Sequence, residues 1–326
     1  MKYILGIDQG GTKTAAALMD ESGNVCGTGL EKGAYFPDNG IDVAMACIER
    51  AVQHAMDEAQ IHMSEIGCVV AGITGIDWPG DEKEAKEKLA DMTGNSHIFV
   101  CNDCVIAMYG GTRKEAGAVI CAGTGLNCAI RKKKDEVFVF GDYLGSDMQG
   151  GGALARRGAR KVFDGELGLS DVTALKKLYL SYAKVQTVDD LLRMYMQDKD
   201  FGEEIKLIVP RIVTLAEEGD KATNELLQEF ANDMSRYLYG GMKKMKMLCK
   251  PIDVVLAGSV FKGEGNPLTR ALTHNIQNTL PQVRVIYARY EPVVGACIMG
   301  ILQDKTFTEK MCENLERTAR EHNMLR

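Results

Sequence analysis

A short Gly/Thr turn flanked by two apolar runs occurs twice in this chain of 326 residues. The first copy reads GIDQGGTKT at residues 6–14, and the second reads CAGTGLN at residues 121–127. Glycine lets the main chain approach phosphate oxygens closely, so two such hairpins facing each other would surround one polyphosphate with backbone N–H groups and threonine hydroxyls. The repeat therefore predicts a two-lobed phosphotransferase.

Composition limits the classes of protein that need to be considered. The length suits two domains that each bury a core, and the formal net charge of -6 argues against a nucleic-acid partner or an anionic membrane surface. The chain opens on a strand-like run without a secretory h-region, and no uncharged run reaches ~18 residues. We therefore expect a cytoplasmic protein with no membrane partner.

The ten cysteines are too dilute for a disulfide scaffold. Many of them lie inside apolar runs, where a free cysteine behaves as a small hydrophobe. Cys101 and Cys104 form a CxxC pair that could serve in redox chemistry or as half of a zinc site. Because no second CxxC or HxxxH accompanies the pair in the sequence, this interpretation is disfavoured.

Hydrophobic periodicity predicts the same order of elements in both halves of the chain. In the first half it indicates strands near 3–8, 14–19, 24–30, 66–73 and 97–101, and helices over 40–60, 81–92 and from 103. In the second half it indicates strands near 117–121, 126–131, 136–140, 252–257 and 283–287, and helices over 267–279 and 292–303. Because strands that alternate with helices imply parallel pairing, each half is predicted to be a mixed five-stranded α/β domain.

The predicted lobes cover residues 1–114 and 115–304, and the second contains a helical insertion over about 150–248. The last segment, 305–326, is expected to form a helix that packs back on the first lobe. No Gly/Ser linker separates the lobes, so the boundary near 112–116 is predicted to be a short hinge.

The first turn carries candidate ligands for a nucleotide. Asp8 ends the first strand, where its carboxylate could hold Mg²⁺ through water beside the β- and γ-phosphates. The turn itself is formed by Gly10, Gly11 and Thr12. Lys13 could neutralise phosphate charge. The alternative is a tight hairpin without a ligand, but the preceding aspartate and the second turn favour phosphate binding; neither turn matches a P-loop or a GxGxxG turn.

Asn102 and Asp103 follow an apolar strand and open a helix, at the carboxyl end of a parallel sheet where open α/β folds bind ligands. An aspartate before a helix is often only an N-cap. Facing a cleft, the Asp103 carboxylate would also suit a general base that accepts the proton of an acceptor hydroxyl. The sequence favours catalysis for Asp103 and leaves the cap open.

Gly258 and Ser259 follow the predicted strand 252–257. A glycine at this point lets a flat adenine or ribose lie against the backbone. The alternative is a plain strand-to-helix turn, which the pattern taken alone favours.

Five motifs follow one another in a fixed order: DxGGTK at 8–13, ND at 102–103, GTGLNC at 123–128, GSDxxGG at 145–151 and AGSVFK at 257–262. The order resembles the BadF/BadG/BcrA/BcrD ATPase family, and within it the N-acetylglucosamine kinase branch of the actin-like, sugar-kinase and Hsp70 ATPase fold. The resemblance runs across nearly the whole chain, to PVVGA at 292–296. It implies two duplicated actin-like domains of the ribonuclease H-like type, with ATP and Mg²⁺ in the cleft between them.

The resemblance also implies roles for single residues. The implied nucleotide-binding residues are Asp8, Gly10, Gly11, Thr12, Gly123, Thr124 and Gly125 around the phosphates, with Gly258 and Ser259 at the adenosine. Asp103 would be the base. The implied sugar-binding residues are Thr74, Gly75, Asn102, Asn127 and Asp147.

Two departures from the family concern the sugar. The acetylglucosamine kinases carry an asparagine in the loop after the third strand, and the asparagine of residues 33–40 is displaced here. Their Gly-Asp-Glu-Gly segment and nearby tryptophan are replaced by SDMQG at 146–150. The identity of the acceptor is therefore left open.

We expect ATP-dependent phosphorylation of a hydroxyl of a sugar or amino sugar, with N-acetylglucosamine or glucosamine the favoured acceptors, by a protein that could form a homodimer. The main alternative is an ATPase that activates a redox partner such as a 2-hydroxyacyl-CoA dehydratase. Those relatives hold an iron–sulfur cluster through cysteines near the second phosphate loop, and Cys121 and Cys128 keep this alternative open. Against it, the turn continues as Leu-Asn-Cys instead of the activators' Arg/Lys-Phe-Leu.

Two further classes are disfavoured. A catalytically silent regulator fits poorly because Asp8 and Asp103 are both present and no DNA-binding segment is apparent. A ROK-type sugar kinase fits poorly because its zinc-binding cysteine motif is absent from the sequence.

Overall fold

Two five-stranded sheets organise the computed structural model, which describes residues 2–148, 150–198, 201, 204–262 and 265–326. The strands of the first sheet are β1 (Tyr3–Gln9), β2 (Lys13–Met19), β3 (Val25–Lys32), β4 (Ile66–Ile73) and β5 (Ile98–Asn102). The strands of the second are β6 (Gly117–Ala122), β7 (Leu126–Lys133), β8 (Glu136–Val139), β9 (Asp253–Ala257) and β10 (Arg284–Tyr287). The predicted strands are confirmed with shifts of one or two residues at their ends.

The two sheets have the same topology. Their strand orders are β3-β2-β1-β4-β5 and β10-β9-β6-β7-β8. The strands joined by short hairpins pair antiparallel, and those reached through helices pair parallel. The prediction of two mixed five-stranded α/β domains is therefore confirmed.

The described helices lie between and around the sheets. They are α1 (Phe36–Asn39), α2 (Ile41–Ala59), α3 (Pro79–Thr93), α4 (Asp103–Tyr109), α5 (Gly150–Glu166), α6 (Ala174–Ala183), α7 (Val188–Gln197), α8 (Val209–Glu217), α9 (Lys221–Lys244), α10 (Pro267–Thr279), α11 (Pro292–Asp304) and α12 (Glu309–Glu321). Helices α5 to α9 account for most of the described part of 150–248, as the periodicity predicts. None of the helices among the described residues combines the length and apolar character needed to cross a membrane.

Helix α2 covers one face of the first sheet. Its apolar residues recur at helical spacing, and Ala44, Ile48 and Ala51 are fully buried. The helix can lie directly on β3 because a Cβ on Gly29 would overlap the carbonyl oxygen of Ala51.

Helices α4 and α11 pack against each other beneath the cleft. They share one apolar cluster with both sheets, which includes Val70 from β4 and Val119 from β6. This common core joins the two halves of the molecule. Helix α12 packs on the first sheet, where the backbone N–H of Val25 donates to the Thr318 hydroxyl at 2.9 Å. The exact boundary between the lobes stays a prediction.

Candidate active site

The two Gly/Thr turns face each other across the cleft. The Thr12 and Thr124 hydroxyl oxygens lie 3.1 Å apart. Each turn is closed by its own backbone hydrogen bond, from Gly10 N–H to the Lys13 carbonyl at 2.9 Å and from Gly123 N–H to the Gly125 carbonyl at 2.8 Å. The hairpins of the two lobes therefore meet at their threonine hydroxyls.

The second turn is supported by the start of helix α5. The N–H of Gly151 donates to the Gly123 carbonyl at 2.9 Å. Gly150 has φ of 53°, and a Cβ there would overlap the carbonyl oxygens of Gly123 and Gly125. A helix N-terminus beside the turn adds a positive partial charge at the place predicted to hold phosphate.

Gly258 and Ser259, the candidate adenosine residues, lie next to the second turn. Gly258 has φ of 104° and packs against the backbone of Ala122, where any side chain would collide. The Ser259 hydroxyl lies 3.7 Å from the position that a Cβ on Gly123 would take. Adenosine and phosphate candidates are thus contiguous along one wall of the cleft.

Asp8 lies at the carboxyl-terminal part of β1 and is 8% exposed. Burial raises the pKa of its carboxyl to about 6, while the charge of Lys13 opposes the shift. Among the described residues none donates a hydrogen bond to this carboxylate, so its oxygens are free to accept from water. A carboxylate in this setting fits a hydrated divalent cation, which prefers oxygen ligands.

Asp103 is the first residue of α4, and it is not the helix cap. The cap is Asn102, whose side-chain oxygen accepts from the Cys104 N–H at 3.1 Å. Helix α4 begins close to β4 because Gly72 has no side chain; a Cβ there would lie 3.1 Å from the Asp103 Cα. The interpretation of Asp103 as the N-cap is therefore wrong, although the Cys104 N–H also interacts with its carboxyl.

Asp103 is half-buried. Burial raises its pKa to about 7, the negative charge of Asp8 adds to the shift, and the Cys104 N–H opposes it. A carboxyl that titrates near neutrality is suited to accept a proton during a reaction and to release it afterwards.

A ring of polar groups crosses the cleft beside Asp103. The Asn102 amide donates to the Asp77 carboxylate at 3.0 Å, and the Asn127 amide donates to the Asn102 side-chain oxygen at 3.2 Å. The Asn127 oxygen accepts from the Gly141 N–H at 3.1 Å, and Gly141 packs against Asp77. Two residues from each lobe thus form a polar acceptor wall, defined here as Asp77, Asn102, Asn127 and Gly141.

Negative charge surrounds the same end of the cleft. The Tyr35 hydroxyl has its pKa raised by burial and then by four carboxylates, those of Asp142, Asp77, Asp38 and Asp103. Gly75 lies against Tyr35 and Pro37, so the predicted sugar loop, which also carries Thr74, belongs to this end. The loops that carry Asp77 and Asp142 also expose two aromatic rings, Trp78 and Tyr143.

Asp77 and Trp78 were missed by sequence reasoning. The available signal was the position of Asp77, a carboxylate between the carboxyl end of β4 and the start of α3. Ligands of open α/β folds bind at such positions.

Two candidates do not contact the acceptor wall. The Asp147 side chain is 77% exposed and has the guanidinium of Arg157 at 3.9 Å as its ion-pair partner. The Lys13 ammonium forms an ion pair with Glu291 at 3.0 Å. The structure does not bring Asp147 into the acceptor wall.

The cysteines do not form a site. Cys128 packs in the core of the second lobe, whereas Cys121 packs on the opposite face of the same sheet with the shared core. Burial raises the pKa of Cys101 and of Cys121 to about 12, so both thiols are protonated at neutral pH. In the described parts of the chain no group of three or more His, Cys, Asp or Glu residues is arranged to hold a metal ion.

Two lobes with duplicated topology and facing Gly/Thr turns define a two-domain protein of the actin-like fold. The chain belongs to the BadF/BadG/BcrA/BcrD ATPase family, whose sequence profile matches residues 5–300.

Three characterised relatives are all named as kinases of amino sugars. An N-acetylmuramic acid/N-acetylglucosamine kinase of Clostridium acetobutylicum is 22% identical over 305 residues, covering 92% of this chain and 98% of that protein. An N-acetyl-D-glucosamine kinase of Dictyostelium discoideum is 22% identical over 323 residues, covering 93% and 99%. A glucosamine kinase of Vibrio cholerae is 25% identical over 248 residues, covering 73% and 80%.

Solved structures share the fold. A protein provisionally called an N-acetylglucosamine kinase, from Chromobacterium violaceum, superposes with a TM-score of 0.69 at 16% identity, covering 92% of this chain and 99% of that one. A ROK family glucokinase from Streptomyces griseus, in complex with glucose and AMPPNP, superposes with a TM-score of 0.60 at 20% identity, covering 92% and 98%. These likenesses establish the architecture.

Proposed function

We propose that this protein is a kinase that transfers the γ-phosphoryl group of ATP to a hydroxyl of an amino sugar. The observation that carries the proposal is the position of Asp103. Asp103 directly follows Asn102 of the acceptor wall, and its carboxyl, with a pKa raised to about 7, interacts electrostatically with Asp8 at the first turn and with Asp77 of the wall. The names of the characterised relatives support the same reaction class.

The nucleotide would lie along the second lobe. Gly258 and Ser259 would receive the adenosine, and the N–H groups of the two turns would hold the phosphates. Asp8 would hold Mg²⁺ through water, and the metal would supply charge neutralisation on the phosphates. Phosphoryl transfer through a loose transition state depends mostly on such positioning and charge stabilisation.

Asp103 would act as the general base. Its carboxylate would accept a hydrogen bond from the acceptor hydroxyl and take the proton as the oxygen attacks the γ-phosphorus. Positive charge brought in beside Asp8 would lower the pKa of Asp103, so the base would be ionised in the nucleotide complex. Asn102 is buried and its amide and oxygen are both engaged, so it would hold Asp77 and Asn127 in place. The sugar would be oriented by Asp77 and by the N–H of Asn127 that is not used within the wall.

The charge of the acceptor end favours a neutral or amine-bearing sugar. After burial, the negative charges of Asp142, Asp77, Asp38 and Asp103 all raise the pKa of the Tyr35 hydroxyl. A sugar with its own carboxylate would be repelled there, whereas an ammonium group would be attracted. We therefore propose glucosamine and N-acetylglucosamine as acceptors ahead of N-acetylmuramic acid.

The test is a coupled ADP-release screen over hexoses, hexosamines, N-acetylhexosamines and N-acetylmuramic acid, with no-acceptor controls and mass identification of the product. We expect ADP release that depends on an amino sugar and yields its phosphate. ADP release that is the same with and without every acceptor would contradict the proposal. Cytoplasmic location and homodimer formation stay proposals, and size-exclusion chromatography with light scattering checks the second.

A further inference from the structure

A chain of ion pairs lies at the phosphate end of the cleft. The Lys13 ammonium contacts one oxygen of Glu291 at 3.0 Å, and the Arg326 guanidinium contacts the other at 3.0 Å. The side chains of Glu291 and Arg326 are only 15% and 14% exposed, whereas that of Lys13 is 50% exposed. Glu291 is therefore a nearly buried carboxylate shared between a half-exposed lysine and a nearly buried arginine.

The backbone fixes Arg326 in this place. Its N–H donates to the Arg289 carbonyl at 2.9 Å, and the Glu291 N–H donates to the Met324 carbonyl at 2.9 Å. Leu325 pairs with Tyr290 in a β-bridge between these two bonds. The guanidinium is thus presented by a short paired segment and not by a free tail.

The ion-pair chain is next to the predicted nucleotide phosphates. Lys13 directly follows the first turn, and Glu291 precedes helix α11 without capping it. The positive charges of Lys13 and Arg326 lower the pKa of Asp8, whereas the negative charge of Glu291 raises it. All three groups therefore act on the carboxylate at the floor of the cleft.

We propose that Arg326 is a positioning residue for the nucleotide phosphates, acting through Glu291. A nearly buried carboxylate beside a polyphosphate repels it unless a cation neutralises the carboxylate. With Arg326 bound to Glu291, the half-exposed Lys13 can leave Glu291 and bind phosphate while Glu291 keeps a partner. Without Arg326, Glu291 retains Lys13 and opposes the nucleotide. The inference rests on the nucleotide half of the proposed function and is independent of the acceptor.

The test measures the Kd values of ATP, ADP and AMP by titration calorimetry, with a melting curve for each variant as a check of folding. Arg326→Gln is expected to raise the Kd values of ATP and ADP by roughly 10-fold or more, the scale of one charge-assisted hydrogen bond. The Kd of AMP, which lacks the β- and γ-phosphates, should change by less than about 3-fold. Arg326→Lys should recover part of the loss. Arg317→Gln removes an exposed arginine of α12 that pairs with Glu321 and serves as the matched control.

The double variant Glu291→Gln/Arg326→Gln separates charge from structure. Because the repelling carboxylate is gone, we expect it to bind ATP more tightly than Arg326→Gln alone. The inference would be overturned if Arg326→Gln weakened the binding of ATP, ADP and AMP equally, or weakened none of them. It would also be overturned if the double variant bound ATP as weakly as Arg326→Gln alone. Wild-type protein that binds ATP but phosphorylates no sugar would overturn the proposed function alone, and wild-type protein that binds no ATP would overturn both.

Discussion

Two carboxyl groups at the cleft floor, those of Asp8 and Asp103, carry the proposed chemistry. Burial raises the pKa of both, to about 6 and about 7, and the charge of Asp8 raises that of Asp103 further. Without a cation between them the two groups destabilise each other's ionised form. Such a site is expected to favour binding of a cation together with the nucleotide.

Replacing the proposed base tests its role directly. Asp103→Asn keeps the size of the side chain and removes the proton acceptor. We expect turnover to fall by at least ~10²-fold, the usual scale for loss of a positioned base, while the Kd of ATP changes by only a few-fold. Steady-state assays with and without acceptor, combined with ATP titration, provide the measurement; turnover near that of the wild type would remove Asp103 from catalysis.

The same substitution should make the unliganded protein more stable at high pH. A carboxyl whose folded-state pKa is raised from near 4 to about 7 contributes stability that is present below its unfolded pKa and is lost as the pH rises through about 7. Asparagine has no such loss. In EDTA and without nucleotide, Asp103→Asn should melt roughly 2–6 °C above the wild type at pH 8, and the difference should shrink at pH 5. A variant that melts below the wild type at pH 8 would contradict the assigned pKa shift.

Substitutions of Asp77 and of Asp147 are expected to have different effects on the acceptor KM. Asp77 belongs to the acceptor wall and is held by Asn102, whereas Asp147 is largely exposed. Asp77→Asn should raise the acceptor KM by about 10-fold or more with little effect on the ATP KM, since a charge-assisted hydrogen bond contributes ~1.5–3 kcal/mol. Asp147→Asn is the matched control, with a smaller expected change. A larger effect at Asp147 than at Asp77 would contradict the placement of the sugar at the acceptor wall.

The positions of site residues could be predicted from the sequence where a motif fixed them. Their contacts could not be predicted where the partner came from a distant segment of the chain. The turns and Asp103 follow from local sequence. The capping role of Asn102 in place of Asp103 depends on which side chain reaches the Cys104 N–H. The pairing of Lys13 with Glu291 joins residues 278 positions apart, and no local pattern signals it.

At the scale of elements, periodicity predicted the strands and the main helices well because both sheets are covered by amphipathic helices with regular apolar stripes. The order of strands within each sheet was less accessible, since pairing depends on contacts across the sheet. The glycines of β3 show, once the fold is known, where α2 lies directly on that strand.

Two glycine substitutions should have opposite effects on stability. Gly29→Ala places a methyl group against the carbonyl of Ala51 and should lower the free energy of unfolding by about 1–3 kcal/mol or more. Gly240 lies on the exposed side of α9, and no atom lies within 4 Å of the Cβ that Gly240→Ala would add. This substitution should therefore raise the free energy of unfolding by about 0.5–1 kcal/mol. Chemical denaturation of both variants measures these changes, and a tolerated Gly29→Ala would show that α2 and β3 are less closely packed than described.

At the scale of the whole molecule, the duplicated motifs predicted two lobes around one cleft. They could not predict how the lobes are joined, because α4 and α11 come from different halves of the chain and meet only in the folded protein. With the lobes joined in this way, the turns of Thr12 and Thr124 face each other. The lobe boundary near residue 114 and the roles of the site residues stay predictions.

The central claim is that ATP is used to phosphorylate a sugar, and the most direct measurement is the amount of phosphorylated sugar formed per ADP released. We predict one sugar phosphate for each ADP when an amino sugar is saturating, and ADP release near background when the acceptor is omitted, since closure around the acceptor excludes water from the γ-phosphate. Phosphorus NMR of the reaction mixture alongside the coupled assay gives both quantities. ADP that accumulates without sugar phosphate, at the same rate with and without acceptor, would contradict the assignment and would identify the protein as an ATPase.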